Sequence, residues 1–488
     1  MVRNVIWLLF ISIFILSCGD DNDDTIKEIE EEKEIEETDV INISSLQELI
    51  SYAAIDSVEI KMEPGTYNID DISTSKELDL DSYSGSSVTG VYSIVTLLHF
   101  SGSHSIYDLS GVEIVIDTEI YDDLPEKKIF DVLISGSDNN IKGLKVTNSG
   151  NNVPKVSAIA MVVLGNQNTL EEVDLFVSGS SPYGYGFLLG KDTSYSIVSK
   201  LQKHSSLLIS GTGTNLLKCE VITRAFGHGI VMQGAVDTFI EECYVEGAVR
   251  TTDEMLAETS GLAYENNFRS VYPPGSIVSG QMIALSEDGI RTYSSGNLVP
   301  TKTNNVTVIN CTVKNMRGGY DLVACSGDRI INGCTAIGCQ TQGFSGGSGI
   351  AIQNSKGDAM YGPLLSFWYT SSKNCSVALQ LLDTKSDYMP SRLAEINGTG
   401  HTINISNAEG NALDSEIPIV FGESFWADVR EFRNPDENPD DMAGAWSVNL
   451  TSSINMPLHL NKLTELNYIT TNNNNVTDEG TNNTIVVQ

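Results

Sequence analysis

Short apolar alternations, set off by polar corners, recur along most of this chain. Each phrase starts at Asn or Asp, alternates β-branched and aliphatic residues with polar ones, and ends in a turn. It reads Asn140-Ile-Lys-Gly-Leu-Lys-Val146, Asn168-Thr-Leu-Glu-Glu-Val-Asp-Leu175 and Asn215-Leu-Leu-Lys-Cys-Glu-Val221. It returns from Asp237 to Val245, from Asn305 to Val313 and from Asp328 to Ala336. Alternation over so few residues predicts short, half-buried strands. The phrases begin 28, 47, 22, 68 and 23 residues apart. Those intervals fit one, two, one, three and one units of about 23 residues. A unit of that size cannot bury its own apolar face, so units must stack. The pattern predicts an all-β chain wound as a right-handed parallel β-helix, a solenoid with three short strands per coil.

The cysteines keep the same beat. Cys219 and Cys243 are 24 residues apart, Cys311 and Cys334 are 23 apart, and each sits at the same place in its phrase. Equal positions in stacked coils lie one strand spacing apart, about 4.8 Å. The spacing predicts a column of small buried residues, since free Cys packs as a small hydrophobe. A metal site would instead need ligands converging on one point.

The start of the coil should be covered, because an open end would expose unpaired strand edges. Ser45-Leu-Gln-Glu48 is a capping box opening a short amphipathic helix through Leu46, Leu49, Ile50 and Ala53. A strand over 58–62 follows, then Glu63-Pro-Gly-Thr-Tyr67. This order resembles the start of pectate-lyase-like β-helices, and the resemblance runs from about residue 45 to the phrase at Asn374-Cys375-Ser376-Val377. Beyond 380 the period blurs into irregular final coils, with a polar loop over 425–445 and a last edge strand at Thr484-Ile-Val-Val487.

The first residues address the chain for export. Arg3 precedes an apolar run from Val5 to Leu16, too short to cross a hydrocarbon core about 30 Å thick. It reads as a signal segment over 1–17. Cys18, directly after Ile15-Leu16-Ser17, resembles a lipobox cysteine, which implies lipid attachment there and residence at the outer membrane, exposed at the cell surface. Gly19-Asp-Asp-Asn-Asp-Asp24 is similar to the export signal of surface lipoproteins of the Bacteroidetes. Residues 18–39 hold twelve acidic residues and two lysines and read as an extended tether. That divides the chain into signal segment, tether, and a β-helix domain over 40–488. The formal charge is −35, of which −26 falls on the domain. So acidic a body excludes nucleic acid as a partner. The expected partner is a polysaccharide, met by a rod acting as a monomer.

Function on a rod sits where its turns lengthen. The widest interval, 237–305, holds Arg250, Arg269 and Glu287-Asp-Gly-Ile-Arg291, with 250–275 expected to wall a groove and insertions reaching about residue 300. Just before it, Lys203, Arg224 and Glu246 follow one another at 21 and 22 residues, as do His228 and Arg250 at 22. One coil of spacing would stack each set in a column. His228 lies between Gly227 and Gly229, which permit close backbone approach to a ligand. Tyr183 and Tyr185, among Gly184 and Gly186, are candidates for stacking on sugar rings. His204 and Tyr320, the latter counted as equivalent to His228, complete the candidate groove.

This inventory suits β-elimination at a uronic acid. A base must remove the C5 proton, and a cation must offset the neighbouring carboxylate so that the enediolate can form. A Lys and an Arg one coil apart resemble the catalytic pair of the alginate lyase and chondroitinase B group. That resemblance implies Lys203 as base, Arg224 as acid or charge stabiliser, and Ca²⁺ on the carboxylate. The acidic phrase that binds calcium in that group is not evident, which leaves Arg250 or His228 to take the charge. The expected activity is a polysaccharide lyase on a uronic acid polymer, alginate ahead of pectate or a sulfated glycan. A glycoside hydrolase using two of Glu246, Asp253, Glu254, Glu287 and Asp288, or a non-catalytic glycan-binding surface protein, are the alternatives.

Overall fold

The computed structural model describes residues 39–189, 201–271, 274–383, 387–388, 392–408, 416–423 and 443–488. The signal segment, the proposed lipidation site Cys18 and the acidic tether lie outside the described residues. So does most of the polar loop over 425–445.

The described chain is a right-handed parallel β-helix. Two strand ladders merge into one long parallel sheet, and a third ladder forms a second sheet running from the hairpin at 76–100 to Val476–Asp478. The core lies inside the coil and is built of Ile, Val and Leu columns. The predicted helix is present as Leu46–Tyr52, with Ser45 Oγ accepting from Glu48 N–H at 3.3 Å. Its Leu49 and the following Ala53 are fully buried against the first coil, which covers the open end.

Between the first two ladders the chain turns through one residue in the left-handed region. Glu172, Lys218, Glu242, Asn310 and Gly333 all have φ between 53° and 68°. The next residue then points inward: Val173, Cys219, Cys243, Cys311 and Cys334 form the expected column and are all buried. Its members are also linked. Cys219 N–H donates to Cys243 Sγ at 3.4 Å, Cys243 N–H to Cys311 Sγ at 3.3 Å, and Cys334 N–H to Ser355 Oγ at 3.1 Å.

The long intervals are not multiples of a coil. Thr169 pairs directly with Asn215, and Thr238 with Val306, so the 47- and 68-residue stretches are single coils carrying lateral insertions. An insertion leaves through a corner and returns to the same ladder, so it lengthens the count without adding a rung. The late coils are more regular than the sequence suggests. Ser376, Thr402, Asn449, Tyr468 and Thr484 stay in one register to the end, and Thr484–Val487 is the last edge strand.

Two excursions shape the outer face of the second sheet. The hairpin of Lys76–Ser84 and Ser87–Phe100 folds across it, donating from Tyr83 N–H to Asn297 O at 2.9 Å. Leu78, Leu80 and Tyr92 of this arm cover an apolar patch made by Phe130, Leu133, Ile159, Val162, Leu208 and Val231. The 249–284 insertion forms a second wall. Val249–Thr251 pairs antiparallel with Met282–Ala284, and Tyr185, Phe187, Met255, Ala263, Ile277 and Ile283 give the wall its own core together with Phe226.

Candidate functional site

Where the outer face of the second sheet emerges from under the arm, its residues change from apolar to charged. Val231 is followed in register by Arg291 and then Asp321. Alternation around the core residue Ile290 and buried Thr292 sends Arg291 and Tyr293 to this same face. The preceding Glu287 and Asp288 lie beside His228 of the adjacent coil, joined by Glu287 N–H to Gly227 O at 2.8 Å and Gly229 N–H to Asp288 O at 3.0 Å.

These groups form one connected cluster. Lys203 Nζ is 2.7 Å from Glu287 Oε2, and His228 Nε2 is 3.2 Å from the same oxygen. Arg317 reaches Glu287 Oε1 at 3.3 Å and Asp288 Oδ2 at 2.7 Å. Arg291 bridges Asp288 and Asp321, at 2.8 Å from the latter. Tyr293 Oη lies 2.9 Å from His228 Nε2, and the Arg291 guanidinium stacks 4.6 Å over the Tyr293 ring. Three cations thus face three carboxylates. Glu287 and Asp288 are 2% and 1% exposed, whereas the Lys203 side chain is 39% exposed and marks the mouth of the cluster.

Burial and neighbours set the protonation states. Burial pushes His228 down to about 3, against the pull of Glu287 and Asp288, so its imidazole is neutral at pH 7. Asp288 N–H donates to His228 Nδ1 at 3.3 Å, which places the imidazole proton on Nε2, facing Tyr293 and Glu287. Burial likewise drives the Tyr293 phenol well above its ordinary range, with Arg291 opposing. For Asp288 burial is outweighed by Arg317 and Arg291, which hold its carboxyl far below the carboxylate range.

The sequence candidates separate into three groups. Lys203 and His228 belong to the cluster. Arg224 does not: its guanidinium donates to the Thr223 and Gly247 carbonyls, each at 3.0 Å, at a corner of the other sheet. The expected columns fail because the register between these coils is 23 and 24 residues, not 21 and 22. Backbone bonds place Lys203 between Ser157 and Phe226, not beside Arg224, and Glu246 stacks on Ile222 and Lys314. Arg250 braces the wall instead of stacking on His228. It pairs with Glu258, donates to Gly184 O, and lies over the Tyr185 ring, whose hydroxyl donates to Glu258 at 2.8 Å.

Two candidates are excluded by position. Tyr320 stacks on Ile290 rather than on His228, two residues off the expected register, and is fully buried with its hydroxyl on Cys311 O at 2.7 Å. His204 also points into the coil, with Nδ1 2.7 Å from Ser178 O and Nε2 3.4 Å from Asp131. Neither can line a groove. Tyr183 (49% exposed) and Arg269 are exposed on the wall side. Of the carboxylates weighed for hydrolysis, Glu254 closes the capping box of Thr252–Leu256, and Asp253 accepts from Ser279 Oγ and Gly280 N–H.

Tyr293 and Arg317 were not legible as site residues. Tyr293 had a signal, since Arg291 and Tyr293 alternate with core positions directly after the acidic pair. For calcium, the donor set does not fit. The acidic oxygens nearest Lys203 are engaged by Lys203, Arg291 and Arg317, and among the described residues no group of three or more His, Cys, Asp or Glu is arranged to hold a metal ion.

No family model matches this sequence, and no curated protein matches it. Among solved structures, a PL6 alginate lyase in complex with a trisaccharide is 12% identical, at a TM-score of 0.42 over 92% of this chain and 86% of that one. A rhamnogalacturonan lyase is 11% identical, at a TM-score of 0.40 over 73% and 76%. The A-module of the Azotobacter vinelandii mannuronan C-5 epimerase AlgE6 is 10% identical, at 0.39 over 88% and 89%.

Proposed function

We propose that this chain is a polysaccharide lyase that cleaves a polymer of uronic acids by β-elimination. The observation that carries the reading is the hydrogen-bonded pair of neutral His228 and Tyr293 beside Lys203, at the open edge of an otherwise closed ionic cluster. Lys203 is the base. As the free amine it takes the C5 proton of the sugar, and Glu287 Oε2, 2.7 Å away, pairs with the ammonium so formed. Tyr293 is the acid. With His228 Nε2–H directed at its oxygen, the phenol is free to turn its own proton outward to the leaving glycosidic oxygen. The bond between that oxygen and C4 breaks as the C4–C5 double bond forms, and the tyrosinate so produced is held by the His228 donor. Arg317 and Arg291 keep Glu287 and Asp288 in place throughout.

Hydrolysis is less well supported. It needs two carboxyl groups free to face the sugar, one of them protonated. Glu287 and Asp288 are buried and bound by arginine, and Asp288 is held in its ionised form. Alginate, which bears a carboxylate on every sugar, heads the substrate panel. Lipid attached at Cys18 would hold the enzyme at the outer membrane, where such polymers are met.

The test compares each uronate polymer with the same polymer after its carboxylates are reduced to alcohols. Ultraviolet-absorbing unsaturated ends should form from the acid and not from the reduced polymer. Equal cleavage of both would refute the proposal.

A further inference from the structure

Lys128 opens the strand Lys128–Ile134, on the same outer face as Lys203. Backbone bonds from Ile129 to Ser157 O and from Ala158 to Lys203 O put Lys128, Ser157 and Lys203 in one column. Two strand spacings separate the lysines, about 9.6 Å along the backbone, and their side chains are long enough to converge on one sugar. Each leans on a different wall. Lys203 Nζ sits 5.4 Å from the Phe226 ring, which belongs to the insertion's core, and Lys128 Nζ sits 5.9 Å from the Tyr92 ring of the arm. The lysines therefore bracket the groove between the arm and the wall.

The two differ in partners. Lys203 is paired with Glu287, and neighbouring Lys127 with Glu77 at 2.6 Å. Lys128 is half-buried and has no ion pair among the described residues. In a chain carrying −35, a half-buried cation without a carboxylate partner is a costly feature to leave unmet. The reaction read above also lacks a free positive charge for the sugar carboxylate. Lys203 is needed as base, the arginines are bound to acids, and the calcium donors do not fit.

We propose that Lys128 is the anion-binding group of this groove, taking the carboxylate of the uronic acid whose C5 proton faces Lys203. The role assigned to Lys203 rests on the lyase reading, whereas binding at Lys128 can be measured without turnover. Burial and repulsion from Lys203 pull the Lys128 ammonium down to about 8, so the anion site should discharge at mildly alkaline pH.

The experiment titrates short saturated oligouronates into the full-length protein and into Lys128→Met and Lys128→Arg variants between pH 6 and 10, roughly the span over which a lysine of this kind titrates. Met keeps the apolar stem on Tyr92, so the fold is retained and melting temperature checks it. Wild type should bind with an affinity that falls above pH 8, as Lys128 loses its proton. Lys128→Met should bind at least about tenfold more weakly. Lys128→Arg should bind at neutral pH and lose the alkaline fall. Equal affinity in wild type and Lys128→Met, or an alkaline fall that persists in Lys128→Arg, would overturn the assignment. Absence of unsaturated product with binding intact would remove the lyase reading and leave the anion site standing.

Discussion

His228 Nε2 lies 2.9 Å from the Tyr293 hydroxyl, and the two rings meet edge to face at 5.5 Å. The residues come from neighbouring coils yet are 65 apart in sequence, because the whole 249–284 wall intervenes. If Tyr293 supplies the proton to the leaving oxygen, Tyr293→Phe should lower kcat by about 10²–10⁴ with KM little changed. His228→Asn, which removes the Nε2 donor, should lower kcat less and shift the alkaline limb of the pH–rate profile. Steady-state kinetics on a uronate polymer checks both.

The buried histidines set an acid limit on stability. Burial pushes His228 down to about 3 and His99 down to about 4, from an ordinary value of 6.5. Below that ordinary value the unfolded chain binds protons that the folded chain refuses. The stability they contribute is whole above pH 6.5 and drains away as pH falls toward 3–4. Melting temperature should decline across that window, and His99→Gln with His228→Gln should flatten the decline. An unchanged slope in the double variant would contradict the burial argument.

The cysteine column makes a substitution test possible. Cys243 Sγ accepts from Cys219 N–H, and Ser355 does the same for Cys334 with its hydroxyl. Cys243→Ala leaves a buried N–H without an acceptor as well as a small void, and should cost about 2–3 kcal/mol. Cys243→Ser keeps an acceptor and should cost less. Denaturant unfolding of the two variants gives the order, and a serine variant weaker than the alanine one would refute the ladder's hydrogen-bonding role.

The left-handed corner should favour glycine wherever space allows. Lys218 holds φ 56° there, so Lys218→Gly should stabilise by about 0.5–1 kcal/mol. Gly333→Ala should destabilise, because its φ is 68° and an added Cβ would lie 2.3 Å from Asn310 Oδ1. Thermal unfolding of each variant measures both signs.

The solenoid was legible because its causes are local. Alternation, polar corners and the inward column each repeat within one coil, so Cys219, Cys243, Cys311 and Cys334 gave the fold even across the 68-residue interval. The site was only half legible. Lys203 and His228 were found by residue type, but their partners depend on how insertions leave and re-enter the ladder. Spacing alone paired Lys203 with Arg224 and placed Tyr320 beside His228, since corners differ by two residues from coil to coil. A fixed count misses the register that puts Lys203 level with Phe226 and Tyr320 level with Ile230. Arg317 and Lys128 gain their meaning only from neighbours one and two coils away.

Elimination leaves one unsaturated end for every reducing end, whereas hydrolysis leaves none. The most direct measurement counts new reducing ends and new unsaturated ends in the same digest of a uronate polymer, with Tyr293→Phe as control. Elimination predicts equal numbers of the two at every time point, and almost none of either from Tyr293→Phe. Reducing ends that accumulate without unsaturation would contradict the lyase.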